Sequence, residues 1–141
     1  MIDSACIFCK ILAGQVPSAC VYEDEHAYAF LDIAPFEKGH TLVIPRYHAE
    51  RFTDLPAEWV LRLMPAVQRT AAILLQRLPC DGFNLLQSNG ACATQVVPHV
   101  HFHVIPRWNH RPMCWLPGRY DQPAELQSLG ARLRAAPAQM S

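Results

Sequence analysis

Between Pro56 and Pro79 the apolar residues Val60, Leu63, Met64, Val67, Ala71, Leu74, Leu75 and Leu78 recur at helical spacing. The spacing puts them on one side of a helix. It predicts a single long amphipathic helix, opened by Asp54 and Pro56 and closed by Pro79. Pro65 falls inside the stripe, removes one backbone N–H and predicts a kink rather than two helices. Elsewhere the pattern shortens to strands. CVYEDEHAYAFLDI (20–33) reads as two short strands around Glu23–Glu25, HTLVIPR (40–46) as another and GFNLLQS (82–88) as a fourth. NGACATQVVP (89–98) reads as a loop of small and polar residues. HVHFHVIPR (99–107) then alternates strictly and predicts the last strand. The stretch from Trp108 starts Pro-rich and predicts a short helix over Glu125–Arg134. Strands, one long helix, then strands again argue an α+β fold with an antiparallel sheet.

Composition narrows the partners. At 141 residues the chain suits one domain with a sizeable core. Its formal net charge is zero and it has no Lys/Arg run, so no nucleic-acid partner is expected. No apolar stretch approaches the ~20 residues of a membrane span. MIDSACIFCKIL carries Asp3 and Lys10 around a short apolar patch and lacks a cationic leader, so a cytoplasmic protein is expected. The six cysteines then read as reduced thiols, metal ligands or buried fillers rather than a disulfide framework. Cys20, Cys80, Cys92 and Cys114 have no evident partners and are expected to be small buried residues, although Cys92 lies in a loop where it could be exposed and oxidisable.

The alternation in 99–107 puts His99, His101 and His103 on one face and Val100, Phe102 and Val104 on the other. At ~3.3 Å per residue the outer two imidazoles lie roughly 13 Å apart, too far to grip one metal ion. A neutral imidazole can instead attack phosphorus through one nitrogen while the other donates to an acceptor that fixes its tautomer. A backbone carbonyl beside the strand would serve. Flanking histidines can bind phosphate oxygens or protonate the leaving group. Cys6-Ile7-Phe8-Cys9 is a C-x-x-C pair. Alone it fits metal binding or redox chemistry, but the βαβ setting usual for a redox pair is missing.

HVHFHVI resembles the signature of the histidine-triad (HIT) family of nucleotide hydrolases and transferases. CIFCKILAGQVPSACVYEDE, AFLDIAPFEKGHTLVIPRYH and GFNLLQSNG resemble further segments of that family in matching order, so the likeness runs through residues 5–107. It implies the HIT fold, a five-stranded antiparallel sheet with one long helix and short terminal helices. It also implies one domain over 1–141 with its core at 5–107 and a tail at 108–141, and a homodimer with one continuous sheet. The implied activity is attack on the α-phosphate of nucleoside phosphoramidates, acyl-nucleotides or dinucleoside polyphosphates through a nucleotidyl-histidine. A purine nucleotide, usually adenosine, is the implied substrate, and no cofactor is required for catalysis.

By the same resemblance His101 is the nucleophile, the His99 carbonyl takes its partner nitrogen, and His103 contacts phosphate. Asn89 and Gln95 match polar residues of the phosphate loop, Gln95 near the leaving group. Asp32 matches a carboxylate that holds ribose hydroxyls. Ile7, Phe8, Phe30, Ile33 and Val97 match the base pocket, and His40 a histidine beside the catalytic one. Some relatives bind a structural zinc through residues matching Cys6, Cys9, His48 and His99. MCWLPG (113–118) resembles a tryptophan loop that shapes the leaving-group side across a dimer, which points to Trp115. The residues also have plain readings. Phe30 and Ile33 suit any core strand, Asp32 suits the turn before Pro35, and Asn89-Gly90 is a common turn pair. There are departures too. Thr94 stands where glycine is usual, Val96 where a hydroxyl residue is frequent, and Pro98 where an aromatic is usual. They keep open a nucleotide-binding scaffold with little catalysis, and the same nucleotidyl-histidine would equally serve a nucleotidyl transferase to phosphate or another acceptor.

Overall fold

The computed structural model describes residues 2–134. Met1 and residues 135–141, the two ends of the expected single domain, lie outside the described residues. The elements run α1 (Ile7–Leu12), β1 (Cys20–Glu23), β2 (Ala27–Leu31), β3 (Thr41–Pro45), α2 (Ala57–Arg77), β4 (Gly82–Gln87), β5 (Phe102–Arg107) and α3 (Pro123–Arg134). The strands form one sheet in the order β1-β2-β3-β5-β4, with every neighbouring pair antiparallel. The α+β class, the five-stranded antiparallel sheet, the one long helix and the short terminal helices are those the resemblance implies.

Helix α2 opens where Pro56 presents its carbonyl to Trp59 and Val60. It runs as one element of 21 residues through Pro65. The carbonyl that loses its partner there belongs to Leu61, which is exposed, so water can replace the missing N–H. Leu78 leaves the helix with ψ 146, as the residue before Pro79 must. The buried stripe is Leu63, Ala66, Val67, Thr70, Ala71, Ile73 and Leu74. It differs from the predicted stripe at Leu75, which is exposed while Ile73 turns inward. Thr70 is tolerated in the core because its hydroxyl donates to the Ala66 carbonyl at 2.8 Å.

Alternation then divides the sheet's two faces. Ala27, Ala29, Leu31, Val43, Val100 and Val104 join α2 and the inner side of α3 in the main core. Phe30, Leu42 and Ile44 face the other way and close over Cys6, Phe8 and Cys9 from the α1 segment. Strand β5 starts at Phe102, three residues later than the alternation predicts. Its pairing with β3 stops at Val43↔Phe102 because the next backbone acceptors are occupied by imidazoles. The Pro45 carbonyl takes His99 Nε2 and the His99 carbonyl takes His101 Nδ1. His99–His101 therefore run beside the sheet without joining its ladder, yet keep alternate faces. Cys92 is exposed, and Cys20, Cys80 and Cys114 are half-buried rather than buried, because each lies at a strand end or in a loop. No helix among the described residues is long and apolar enough to cross a membrane.

Candidate active site and metal centre

His101 has the environment a nucleophilic imidazole needs. Its Nδ1 lies 2.6 Å from the His99 carbonyl oxygen. A carbonyl can only accept, so Nδ1 carries the proton and Nε2 keeps its lone pair. Burial pushes the His101 pKa down, partly offset by that carbonyl bond. Phe8 sets its ring edge-on at 5.2 Å and covers one side.

Next to it stands a second fixed imidazole. The Phe36 N–H donates to His40 Nδ1 at 3.1 Å, so His40 carries its proton on Nε2. His40 Nε2–H then donates to His103 Nδ1 at 2.8 Å, which puts the His103 proton on Nε2. Burial holds His40 down at about 4 and His103 at about 3, so both rings are neutral near pH 7. The chain Phe36–His40–His103 thus makes His103 an N–H donor without a positive charge, its ring centroid 4.9 Å from that of His101. His40→Leu removes the donor that sets this tautomer. We expect the His103 proton then to be shared between Nδ1 and Nε2 instead of held on Nε2. The ¹⁵N chemical shifts of the ring measure this, and Gln at 40 should recover part of the single tautomer.

In the loop 89–95, Asn89 Oδ1 accepts the Phe52 N–H at 2.7 Å, which fixes the amide's orientation. Its Nδ2 donates one hydrogen to Gln87 Oε1 and keeps another for a ligand. Gln95 faces inward. Its Oε1 accepts the Gly90 N–H at 2.7 Å, and its Nε2 donates to the carbonyls of Glu50 at 2.7 Å and Val97 at 3.1 Å. Both Gln95 donors are therefore spent on holding the loop. Thr94 takes φ 69, the left-handed region that favours glycine, and its hydroxyl donates to the Ala93 carbonyl. Val96 is exposed.

The residues expected at a base pocket largely meet. Phe8 and Phe30 pack edge-to-face at 5.4 Å, and Val97 leans on the same cluster. Ile7 is partly exposed beside Phe8, whereas Ile33 is 77% exposed and stands outside the cluster. Asp32 lies with one carboxylate oxygen on the Ala34 N–H at 2.8 Å and the other 3.7 Å from His40 Nε2. Trp115 rests on residues of its own chain, with the Arg107 guanidinium 4.7 Å from its ring and Phe36 at 6.1 Å.

Cys6, Cys9, His48 and His99 converge, with their four ligand atoms within 4.8 Å of one another. Cys6 Sγ is 3.4 Å and Cys9 Sγ 3.7 Å from His99 Nδ1, and Cys9 Sγ is 3.4 Å from His48 Nδ1. A tetrahedron with zinc–sulfur bonds of ~2.3 Å and zinc–nitrogen bonds of ~2.0–2.1 Å has edges of about 3.3–3.8 Å. The donors also point the right way. His99 Nε2 gives its proton to the Pro45 carbonyl at 3.0 Å, so Nδ1 holds a lone pair. Asp3 Oδ2 lies 3.7 Å from His48 Nε2 and favours the proton there. Two ring lone pairs then face each other across 3.2 Å, an arrangement that a cation between them stabilises. The residues fit a zinc ion.

Sequence reasoning missed the groups that orient these side chains: Phe36 for His40, Gln87 for Asn89, Asp3 for His48 and the Pro45 carbonyl for His99. Two are backbone groups and leave no residue signal. Gln87, two positions before Asn89 at the strand-to-loop boundary, and Asp3, close before the C-x-x-C pair, were the available hints.

The HIT domain family matches residues 13–110. A HIT-like protein of Methanocaldococcus jannaschii is 50% identical over 103 residues, 73% of this chain and 79% of that protein. The adenosine 5'-monophosphoramidase HNT1 of Saccharomyces cerevisiae is 45% identical over 106 residues, 75% of this chain and 65% of that protein. Among solved structures, a zinc-bound histidine triad family protein from Mycobacterium smegmatis superposes with a TM-score of 0.83 at 39% identity, over 93% of this chain and 91% of that one.

Proposed function

The chain belongs to the HIT family, and from that premise we propose that it hydrolyses nucleoside phosphate derivatives at the α-phosphate through a covalent nucleotidyl-His101. The observation that carries the reading is the 2.6 Å bond from His101 Nδ1 to the His99 carbonyl, which leaves Nε2 free in a buried site. Phe8, Phe30, Ile7 and Val97 receive the base, with Ile33 at the rim, and Asp32 takes the ribose hydroxyls. His103 Nε2–H and the spare Asn89 N–H meet the phosphate oxygens, while Gln95 holds the loop that surrounds them. His101 Nε2 attacks phosphorus, a P–N bond forms, and the bond to the leaving atom breaks with its electron pair, which an amine leaving group uses to take up a proton from solvent. The His99 carbonyl stabilises the ring as it becomes cationic. Water then attacks phosphorus, the P–N bond breaks and the nucleoside monophosphate leaves. The similarity to an adenosine monophosphoramidase supports adenosine phosphoramidates as one class of substrate, without ranking it against others.

Cys6, Cys9, His48 and His99 would hold a structural zinc with no open position, tying the α1 segment to the catalytic stretch. A homodimer would use the outer edge of β4, the last strand of the sheet, where Phe83 and Leu85 are exposed. The reading is tested by quenching the protein in alkaline denaturant, where a phosphorus–imidazole bond survives, during turnover of adenosine 5'-phosphoramidate. The expected result is a mass gain of one adenylate, mapped to His101. Turnover without any adduct overturns the covalent route.

A further inference from the structure

The groups so far placed leave out one cation beside the phosphate loop. Residues 49–52 are sewn to the catalytic stretch on both sides of Arg51. The Val100 N–H donates to the Ala49 carbonyl at 2.8 Å, Gln95 Nε2 to the Glu50 carbonyl at 2.7 Å, and the Phe52 N–H to Asn89 Oδ1 at 2.7 Å. The Arg51 guanidinium thereby comes to rest over Gly90. A Cβ added to that glycine would stand 3.6 Å from Arg51 Nη2 and 3.9 Å from its Cζ. Arg46, Arg111 and Arg134 each pair with a glutamate, whereas among the described residues the Arg51 guanidinium makes no ion pair, the Asp54 carboxylate taking the Arg51 backbone N–H at 3.2 Å. An exposed guanidinium without an ion pair thus lies against the loop that the hydrolase reading places around the phosphate.

We propose that Arg51 receives the departing group and makes this chain favour nucleotides whose leaving group departs as an anion, such as a sulfate or a further phosphate, over those that release an amine. This rests on the hydrolase reading above. When His101 Nε2 forms its bond to the α-phosphorus, the bond from phosphorus to the leaving atom breaks and that atom keeps the electron pair. A sulfate or phosphate leaves without taking a proton, so negative charge grows on its oxygen, where a guanidinium stabilises it. An amine must take up a proton as it leaves, and arginine does not give one up. The other side chains at this end of the loop offer no substitute. Both Gln95 donors are spent on the carbonyls of Glu50 and Val97, and the Thr94 hydroxyl is spent on Ala93.

The test compares adenosine 5'-phosphosulfate with adenosine 5'-phosphoramidate for the wild type, Arg51→Gln, Arg51→Lys and Arg51→Glu. The ratio of kcat/KM for sulfate over amidate should fall about 10- to 100-fold in Arg51→Gln, within the range for losing one donor to a developing anion. It should fall further in Arg51→Glu and recover in Arg51→Lys. A loss equal for both substrates means a structural role and overturns the proposal. Titration with ADP and AMP gives an independent readout, because Arg51→Gln should narrow the preference for ADP. If the wild type turns over neither substrate while that preference still depends on Arg51, the hydrolase reading fails and the phosphate contact stands. If both substrates turn over and neither the ratio nor the ADP preference moves, only the Arg51 proposal fails.

Discussion

His101→Ala should abolish turnover of adenosine 5'-phosphoramidate, with kcat lower by ~10⁴-fold or more, as for removal of other enzymic nucleophiles. The reason lies in what surrounds the ring. Every other imidazole near the phosphate is committed elsewhere: His103 Nδ1 to His40, His99 Nε2 to Pro45 and His99 Nδ1 to the cysteines. None can take over the attack from its present position. Fold and nucleotide affinity should survive, since Nδ1 makes only a local bond and the main core lies on the other face of the sheet. The measurement is steady-state release of AMP together with AMP titration and thermal melting of the variant. His101→Gly, with space for a small imidazole, separates lost chemistry from lost structure. Added imidazole should restore part of the rate by attacking phosphorus from the vacated place. Retention of more than about one per cent of the wild-type rate in His101→Ala would sink the assignment.

The second large effect concerns the metal centre. Purified protein should carry one zinc per chain, and Cys6→Ser or removal by a strong chelator should destabilise the fold by about 3 kcal/mol or more. That corresponds to a Tm lower by roughly 10 °C for a chain of this size. Without an ion the facing lone pairs of His48 and His99 sit 3.2 Å apart in a largely buried place, beside a Cys6 thiol whose pKa burial pushes up. The loss should extend to nucleotide affinity, because Ile7 and Phe8 lie between the two cysteines and Phe8 packs on both Phe30 and His101. Metal content by mass spectrometry, melting temperature and AMP affinity together decide it. An ion-free protein with an unchanged Tm in Cys6→Ser would remove the centre from the account.

Much of this architecture was legible because it rests on periodicity. The stripe of α2 and the alternation in 99–107 are properties of side chains alone, and both recur in the buried faces. The convergence of Cys6, Cys9, His48 and His99 was implied by the family resemblance alone, since the C-x-x-C pair by itself names no histidine partner. What escaped depends on backbone groups brought close by folding. The start of β5 could not be read, because the carbonyls of Pro45 and His99 exchange ladder partners for imidazoles. The inward turn of Gln95 could not be read either, since its partners at Gly90 and Glu50 come from two different connections. The Ile73 and Leu75 exchange is smaller. Both residues are apolar and adjacent to the stripe, and only the packing partner decides which turns in.

The sheet's two faces carry different obligations, and this bears on how such a protein can change. One residue in two along β3 and β5 answers to α2, and the residue between answers to the α1 segment and the imidazole side of the sheet. A lineage can repack Val43, Val104 or Leu74 in response to temperature while the imidazoles opposite keep their tautomers, provided the backbone stays put. It can equally exchange Arg51 or Thr94 for a new substrate without spending core stability. Adaptation to habitat and adaptation to metabolite would then proceed on separate sides of the same five strands.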